Sequence, residues 1–427
     1  SAKSSTKGIC IANGKTNVTI SGGVFKGIDN TKAVINVFSN NNTLAITGGM
    51  FDGGVTANIN CSISGGVYTD AAKAATNTDL IIEGYTFVAN TDETTKDAYP
   101  WTIGVDESSD LWAAKIVKAD GSKTFYTTLA DAVAAAKNSD TIVMLCDHAV
   151  KNGIIVDKDI TLELNGKDIT ADKNWAGTSP TGQAVLYVKS GAKLTVNDSV
   201  GNGSIDTLDN SNVYSAITLT IKDNNDEEKT AELVINGGLI KGYYYGIVTN
   251  GNRHNTKITV NGGTITGKDE GSTSIYHPSR GQLIINGGTL KGYDGIAIKG
   301  GTPVTITGGE FIATGKKVVP TVAGSSGANA VGSALYVEGN YGYGACVNVS
   351  GGKFKGETAL DNAIVKLDTG DTAGKWVTGA VRFRNDCDLH LAEGAVLEST
   401  DDPADYPEVH TTWEGIECYN HSPLLFA

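Results

Sequence analysis

The sequence predicts an all-β chain wound as a right-handed parallel β-helix solenoid, with one short N-terminal capping helix in its second module. Three observations carry this. A unit of the form apolar-x-Gly-Gly-x-apolar recurs as "ISGGVF", "ITGGMF", "ISGGVY", "INGGLI", "VNGGTI", "INGGTL", "ITGGEF" and "VSGGKF", with first glycines Gly22, Gly48, Gly65, Gly237, Gly262, Gly287, Gly308 and Gly351. A second unit, read as Gly-x-apolar-x-apolar, lies upstream of each pair, as in "GIVTN", "GIAIKG", "SALYVEGN", "GAVRFRN" and "QAVLYVKSG". Between Gly237 and Gly308 the steps are 25, 25 and 21 residues, and short alternating strands punctuated by glycine at such a period mark a solenoid.

Each turn then contributes two or three short strands, with apolar residues inward and neighbouring turns about 4.8 Å apart. Asn236, Asn261 and Asn286 hold one place in three successive turns and should stack as a hydrogen-bonded ladder. In chain order, residues 1–90 read as the terminal turns of a preceding β-helix module and 91–126, which lack a double glycine, as a linker. Residues 127–427 read as a second module. Its start is marked by "TTLADAVAAAKNSDTIVML": Thr128 can cap a helix over about 128–138, with Asp131 in the first turn and Ala130, Val133, Ala134 and Ala136 as an apolar face. Such a helix covers the open hydrophobic end of a solenoid. Farther on, insertions are expected at about 313–331 and 357–378. The opening "SAKSSTKGIC" reads as a cut through a longer protein.

Net charge is −13, and the four arginines (Arg253, Arg280, Arg382, Arg384) form no basic run, which argues against nucleic acid. No apolar stretch reaches membrane-spanning length. An acidic chain rich in Gly, Asn, Thr and Ser fits an extracellular, solvated surface. The six cysteines (Cys10, Cys61, Cys146, Cys346, Cys387, Cys418) lack a C-x-x-C, which disfavours zinc, and they read mainly as buried thiols. No cofactor is expected; calcium would suit only the acidic "NNDEE" at 224–228, which otherwise reads as a solvated loop.

This pattern resembles the parallel β-helix repeats of the pectin-lyase-like superfamily, and more closely the repeat modules of large surface proteins of Gram-positive gut anaerobes. The order helix, "DTIVML", "LELNGK" is similar to a module start in those proteins. The resemblance implies a bacterial cell surface, further tandem modules, and a glycan or host surface protein as partner. Polygalacturonases of this fold use Asn-Thr-Asp, Asp-Asp, Gly-His-Gly and Arg-x-Lys motifs, and none stands here in matching turns. Arg280 in "YHPSRG" is the nearest echo of a pectate-lyase base.

Two loop positions carry the candidate site. One is aromatic: Tyr244 two residues before Gly246, Tyr293 and Asp294 just before Gly295, Trp413 before Gly415, Trp376 before Gly379, and Trp175 ahead of "GQAVLYV", with Tyr243 and Tyr245 flanking Tyr244. Stacked turns would line these rings along one side, where they either bind sugar rings or fold back as packing. The other position carries Arg253, His254, His277 and Arg280, which would suit a carboxylate or serve as solvated loop residues. Two functions follow: a non-catalytic surface adhesin or spacer, or a polysaccharide lyase or glycoside hydrolase.

Overall fold

The computed structural model describes residues 9–11, 17–26, 35–37, 42–52, 55–56, 61–69, 80–177, 183–219, 229–249, 255–268, 272–279, 281–299, 304–316, 331–337 and 347–356, with 358–361, 365–367, 375–378, 381–382, 390–391, 396–399, 403, 406, 408–413, 416–421 and 425–426. The chain forms two compact units, Ser1–Trp112 and Ala113–Ala427.

One coil of the second unit shows how the repeat folds. Strand Ala231–Ile235 runs into the Asn236-Gly237-Gly238 turn, strand Leu239–Gly242 follows, and strand Tyr245–Thr249 closes the coil. The next coil repeats it as Thr256–Val260, Thr264–Gly267 and Thr273–His277. Pairing between coils is parallel and in register: Leu233 faces Ile258, Ile240 faces Ile265, and Ile247 faces Ile275. The first two strands of each coil join an 18-stranded sheet, and the third joins a 10-stranded one. The chain is therefore a parallel β-helix. Leu233, Ile240, Ile247, Ile258, Ile265 and Ile275 are fully buried in one continuous core. Each such side chain contributes about 1.5–3 kcal/mol relative to exposure.

The double glycine has two separate causes. A Cβ on Gly262 would sit 2.7 Å from the Asn236 carbonyl oxygen of the coil below, and one on Gly287 would sit 2.6 Å from that of Asn261. The second glycine of each pair turns the chain at positive φ, +80° at Gly263 and +87° at Gly288, where a side chain is strained. The asparagines beside them do form a ladder. Asn261 Nδ2 donates to Asn236 Oδ1 at 2.8 Å and Asn286 Nδ2 to Asn261 Oδ1 at 2.9 Å. Asn197 below and Thr307 above extend it.

Helix α1, Leu129–Ala135, begins on Thr128, whose hydroxyl accepts the Asp131 N–H at 3.1 Å. It buries Leu129, Ala132, Val133 and Ala136 in the solenoid core, whereas Ala130 and Ala134 are exposed. The expected apolar face was thus half right; Leu129 sets the register at i, i+3, i+4 and i+7. Beside the helix, strands Ala114–Val117 and Lys123–Tyr126 form an antiparallel hairpin, and Ala114–Val117 also pairs antiparallel with Thr141–Met144.

Toward the end of the second unit, strand Val304–Ala313 pairs directly with Val347–Lys355, so the 43 residues from Gly308 to Gly351 make one coil. Most of the expected 313–331 insertion lies outside the described residues. The 357–378 segment is not an insertion: Thr358–Asp361 and Val365–Leu367 pair in parallel with the preceding coil. Trp376 lies within strand Lys375–Thr378, and Trp413 ends strand Glu408–Trp413 of an antiparallel hairpin rather than sitting before a solenoid strand.

The first unit stacks Asn17–Lys26, Thr43–Asp52, Cys61–Ile63 and Val67–Tyr68 in parallel. Phe25, Phe51 and Tyr68 form an aromatic stack at centroid spacings of 5.0 and 5.1 Å. Strands Tyr85–Ala89 and Trp101–Val105 then form a hairpin whose second strand lies antiparallel on Val67–Tyr68. Of the expected buried thiols, Cys61 is one, and burial pushes it up to about 11.

Candidate functional site

From Ala184–Val188 to Ser333–Val337 the third strands differ from the other two because both their faces are largely covered, whereas the first of them, Ile154–Val156, leaves Ile155 exposed. Ile275 joins the main core, while its neighbour Tyr276 belongs to a second buried cluster with Ala297, Val331 and Tyr336. This separates the three tyrosines of "GYYYG". Tyr245 stacks on Tyr276 at 5.2 Å and 24°, packing against that cluster. Tyr243 is half-buried under the Lys268 ammonium, 4.7 Å from its ring centroid. Tyr244 alone of the three is exposed.

Tyr244 stands in a local cluster. Its ring meets Tyr214 edge-on at 5.3 Å and Tyr243 at 4.7 Å. Backbone bonds fix that pairing, since Tyr244 N and Tyr245 N both donate to the Tyr214 carbonyl. Tyr214 was missed from sequence although it precedes Ala216 by two residues, as Tyr244 precedes Gly246. The small position accepts Ala as well as Gly, and the glycine rule was too narrow.

An ion network adjoins the rings. Lys268 Nζ lies 3.8 Å from Asp209, Lys241 Nζ lies 3.7 Å from Asp209 and 3.6 Å from Asp206. Asp209 follows Leu208 in a tight turn closed by the Asn210 N–H on the Thr207 carbonyl at 2.9 Å. Both residues have positive φ, +48° and +59°.

The expected aromatic row is interrupted. Register places Tyr245, Thr273 and Asp294 in line, so Ser272 lies between Tyr244 and Tyr293. Tyr293 donates its hydroxyl to the Lys316 carbonyl at 2.9 Å, and Trp175 packs partly buried on the main core. Asp294 is no loop ligand. It is fully buried and accepts the N–H groups of Val331, Gly332 and Ser333, with Thr273 donating its hydroxyl at 3.5 Å. Burial outweighs these bonds and pushes its carboxyl up to about 6.

His277 is also internal. It ends strand Thr273–His277, fully buried, with Nε2 3.1 Å from the Gly281 carbonyl, and burial pulls it down to about 4. Facing a carbonyl, Nε2 carries the proton and the ring is neutral. Arg253, His254 and Arg280 lie outside the described residues, as does "NNDEE". Among the described residues no group of three His, Cys, Asp or Glu side chains is placed to hold a metal, and no helix is long and apolar enough to cross a membrane.

A concavity of about 830 Å³ lies beside α1 and is lined by Val133, His148, Ile154, Ile155 and Lys158 among others. Two of its polar groups, His148 and Lys158, cap the helix. His148 Nε2 accepts the Leu129 N–H at 3.5 Å, and Lys158 donates to the Val133 and Ala134 carbonyls at 3.1 and 2.8 Å. Both ends of α1 thereby satisfy backbone groups that a short helix leaves open.

No protein-family model matches the chain, and neither a curated protein nor a solved structure matches it.

Proposed function

We propose that the chain is a non-catalytic module of a bacterial cell-surface protein, an adhesin or spacer that binds a glycan or a host surface protein through side chains on its outer turns. The observation that supports this best is the Tyr214–Tyr244 pair, two rings each 41% exposed and standing immediately before the core-packed strands Ser215–Leu219 and Tyr245–Thr249 of adjacent coils. Solvent-facing aromatic rings held without conformational freedom are what sugar faces and protein hot spots meet. The acidic, arginine-poor composition and the resemblance to tandem surface repeats support the extracellular setting.

Enzymatic cleavage of a polysaccharide by the lyase or hydrolase route needs charged groups with divided roles around one bond. The two carboxylates beside the rings, Asp206 and Asp209, both lie against the Lys241 ammonium, and Asp209 also lies against Lys268, an arrangement that favours binding over proton transfer. The test is a glycan array and host-protein pulldown with the 427-residue chain, run beside a turnover assay on polygalacturonate and related acidic polysaccharides. Binding without turnover is expected. Turnover that Arg280→Ala abolishes would overturn the reading.

A further inference from the structure

Resting on that reading, we infer that the turn Thr207–Asn210 and the tyrosines beside it form one binding site for a neutral oligosaccharide. An unbroken chain of contacts defines it. Tyr214 touches Tyr244, Tyr244 touches Tyr243, Lys268 covers Tyr243, and Asp209 lies between Lys268 and Lys241.

The rings have different tasks. Lys268 occupies one face of Tyr243, and Tyr245 is stacked on Tyr276. Tyr244 meets its neighbours at steep angles, 85° to Tyr214 and 76° to Tyr243, and keeps 41% of its surface in solvent. That leaves Tyr244 as the platform for the apolar face of a pyranose. Leu208, 57% exposed, stands on the turn beside Asp209 as a second apolar contact.

Charge selects the ligand class. Two aspartates balance two lysines, so the cluster offers donors and acceptors together but no excess positive field. A uronate, sulfate or phosphate would call for surplus cations and for the bidentate geometry of arginine. Sugar hydroxyls both donate and accept, and they suit carboxylates interleaved with ammoniums. The pairs are also loose, 3.6–3.8 Å, against about 2.7–2.9 Å for hydrogen-bonded ones. The ammoniums thus retain donors for a ligand.

The backbone points the same way. Leu208 and Asp209 take consecutive left-handed conformations that Asn and Gly adopt at least cost. Such strain persists where geometry serves a ligand, and here it sets Asp209 between the two lysines.

The inference is tested by isothermal titration of the 427-residue chain with cellobiose, β-1,4-galactobiose and digalacturonate. At least one neutral disaccharide should bind at least tenfold more tightly than digalacturonate. Tyr244→Ala and Asp209→Asn should each weaken that binding at least tenfold at unchanged melting temperature. Lys268→Gln, which removes one flank of Asp209 without touching the core, should give the same loss. Digalacturonate binding as well as the neutral sugars would overturn the ligand class while leaving glycan binding intact. Neutral binding indifferent to all three substitutions would overturn the site. Binding of none of the three sugars would discard the inference, and a positive glycan array would then leave the wider reading standing.

Discussion

Two buried residues on adjacent coils hold opposite claims on a proton. Asp294, pushed up to about 6, has a folded pKa above its unfolded value, so its contribution to stability is full below about pH 4 and fades as pH rises toward about 6. His277, pulled down to about 4, has a folded pKa below its unfolded value, so its contribution is full above about pH 6.5 and is lost as pH falls toward about 4. The two slopes oppose each other across nearly the same window. Asp294→Asn should therefore leave a melting temperature that rises with pH between about 4 and 6.5, and His277→Gln one that falls, each by up to about 3 kcal/mol of stability. Calorimetry over that range checks both signs. Neither residue was legible as internal, because inside a repeat a buried polar position looks like a loop position until its strand is registered. The Leu208-Asp209 turn offers a second residue-scale test. Replacing the pair by Asn-Gly relieves about 1–2 kcal/mol per left-handed residue before the entropy cost of glycine, so the melting temperature should rise while sugar binding falls.

The elements were legible to different depths. Parallel strands followed from alternating apolar residues and paired glycines, and the glycines prove necessary at two distinct points, close approach and positive φ. Helix α1 was legible from Thr128 and Asp131, but its face was not, because a run of alanines carries almost no hydrophobic contrast. The buried stripe instead follows Leu129 and Val133, the two large apolar side chains. Its capping bond is testable directly. Thr128→Ala removes the acceptor for the Asp131 N–H and should cost about 1 kcal/mol, read as a lower denaturation midpoint at unchanged slope. The covered outer face of the third strands was not legible at all. Tyr276 and Tyr336 alternate with inward residues as solvent-facing ones would, and only the parallel register places them, either side of Ala297, in a common buried cluster with Val331.

In the molecule as a whole, the stabilising core and the proposed binding surface occupy different faces of the same coils. The inward rows run without interruption from α1 to Phe354, and in a stacked array each coil's stability depends on its own core and its two neighbours. Tyr214 and Tyr244 lie outside that core, so they can change with little consequence for folding. The repeat was visible in sequence because close packing demands it in every coil. The site was only half visible because it is local: Tyr244 was found by its place in the repeat, while Asp206, Asp209, Lys241 and Lys268 meet through coils that sequence spacing does not align. The most direct measurement is paired glycan binding and thermal unfolding of Tyr214→Ala/Tyr244→Ala against the parent chain. The account predicts that binding to array-positive glycans is lost while the melting temperature shifts by no more than about 2–4 °C, the effect of about 1 kcal/mol in a unit of this size. Binding that survives the double substitution, or a solenoid that unfolds with it, would contradict the account.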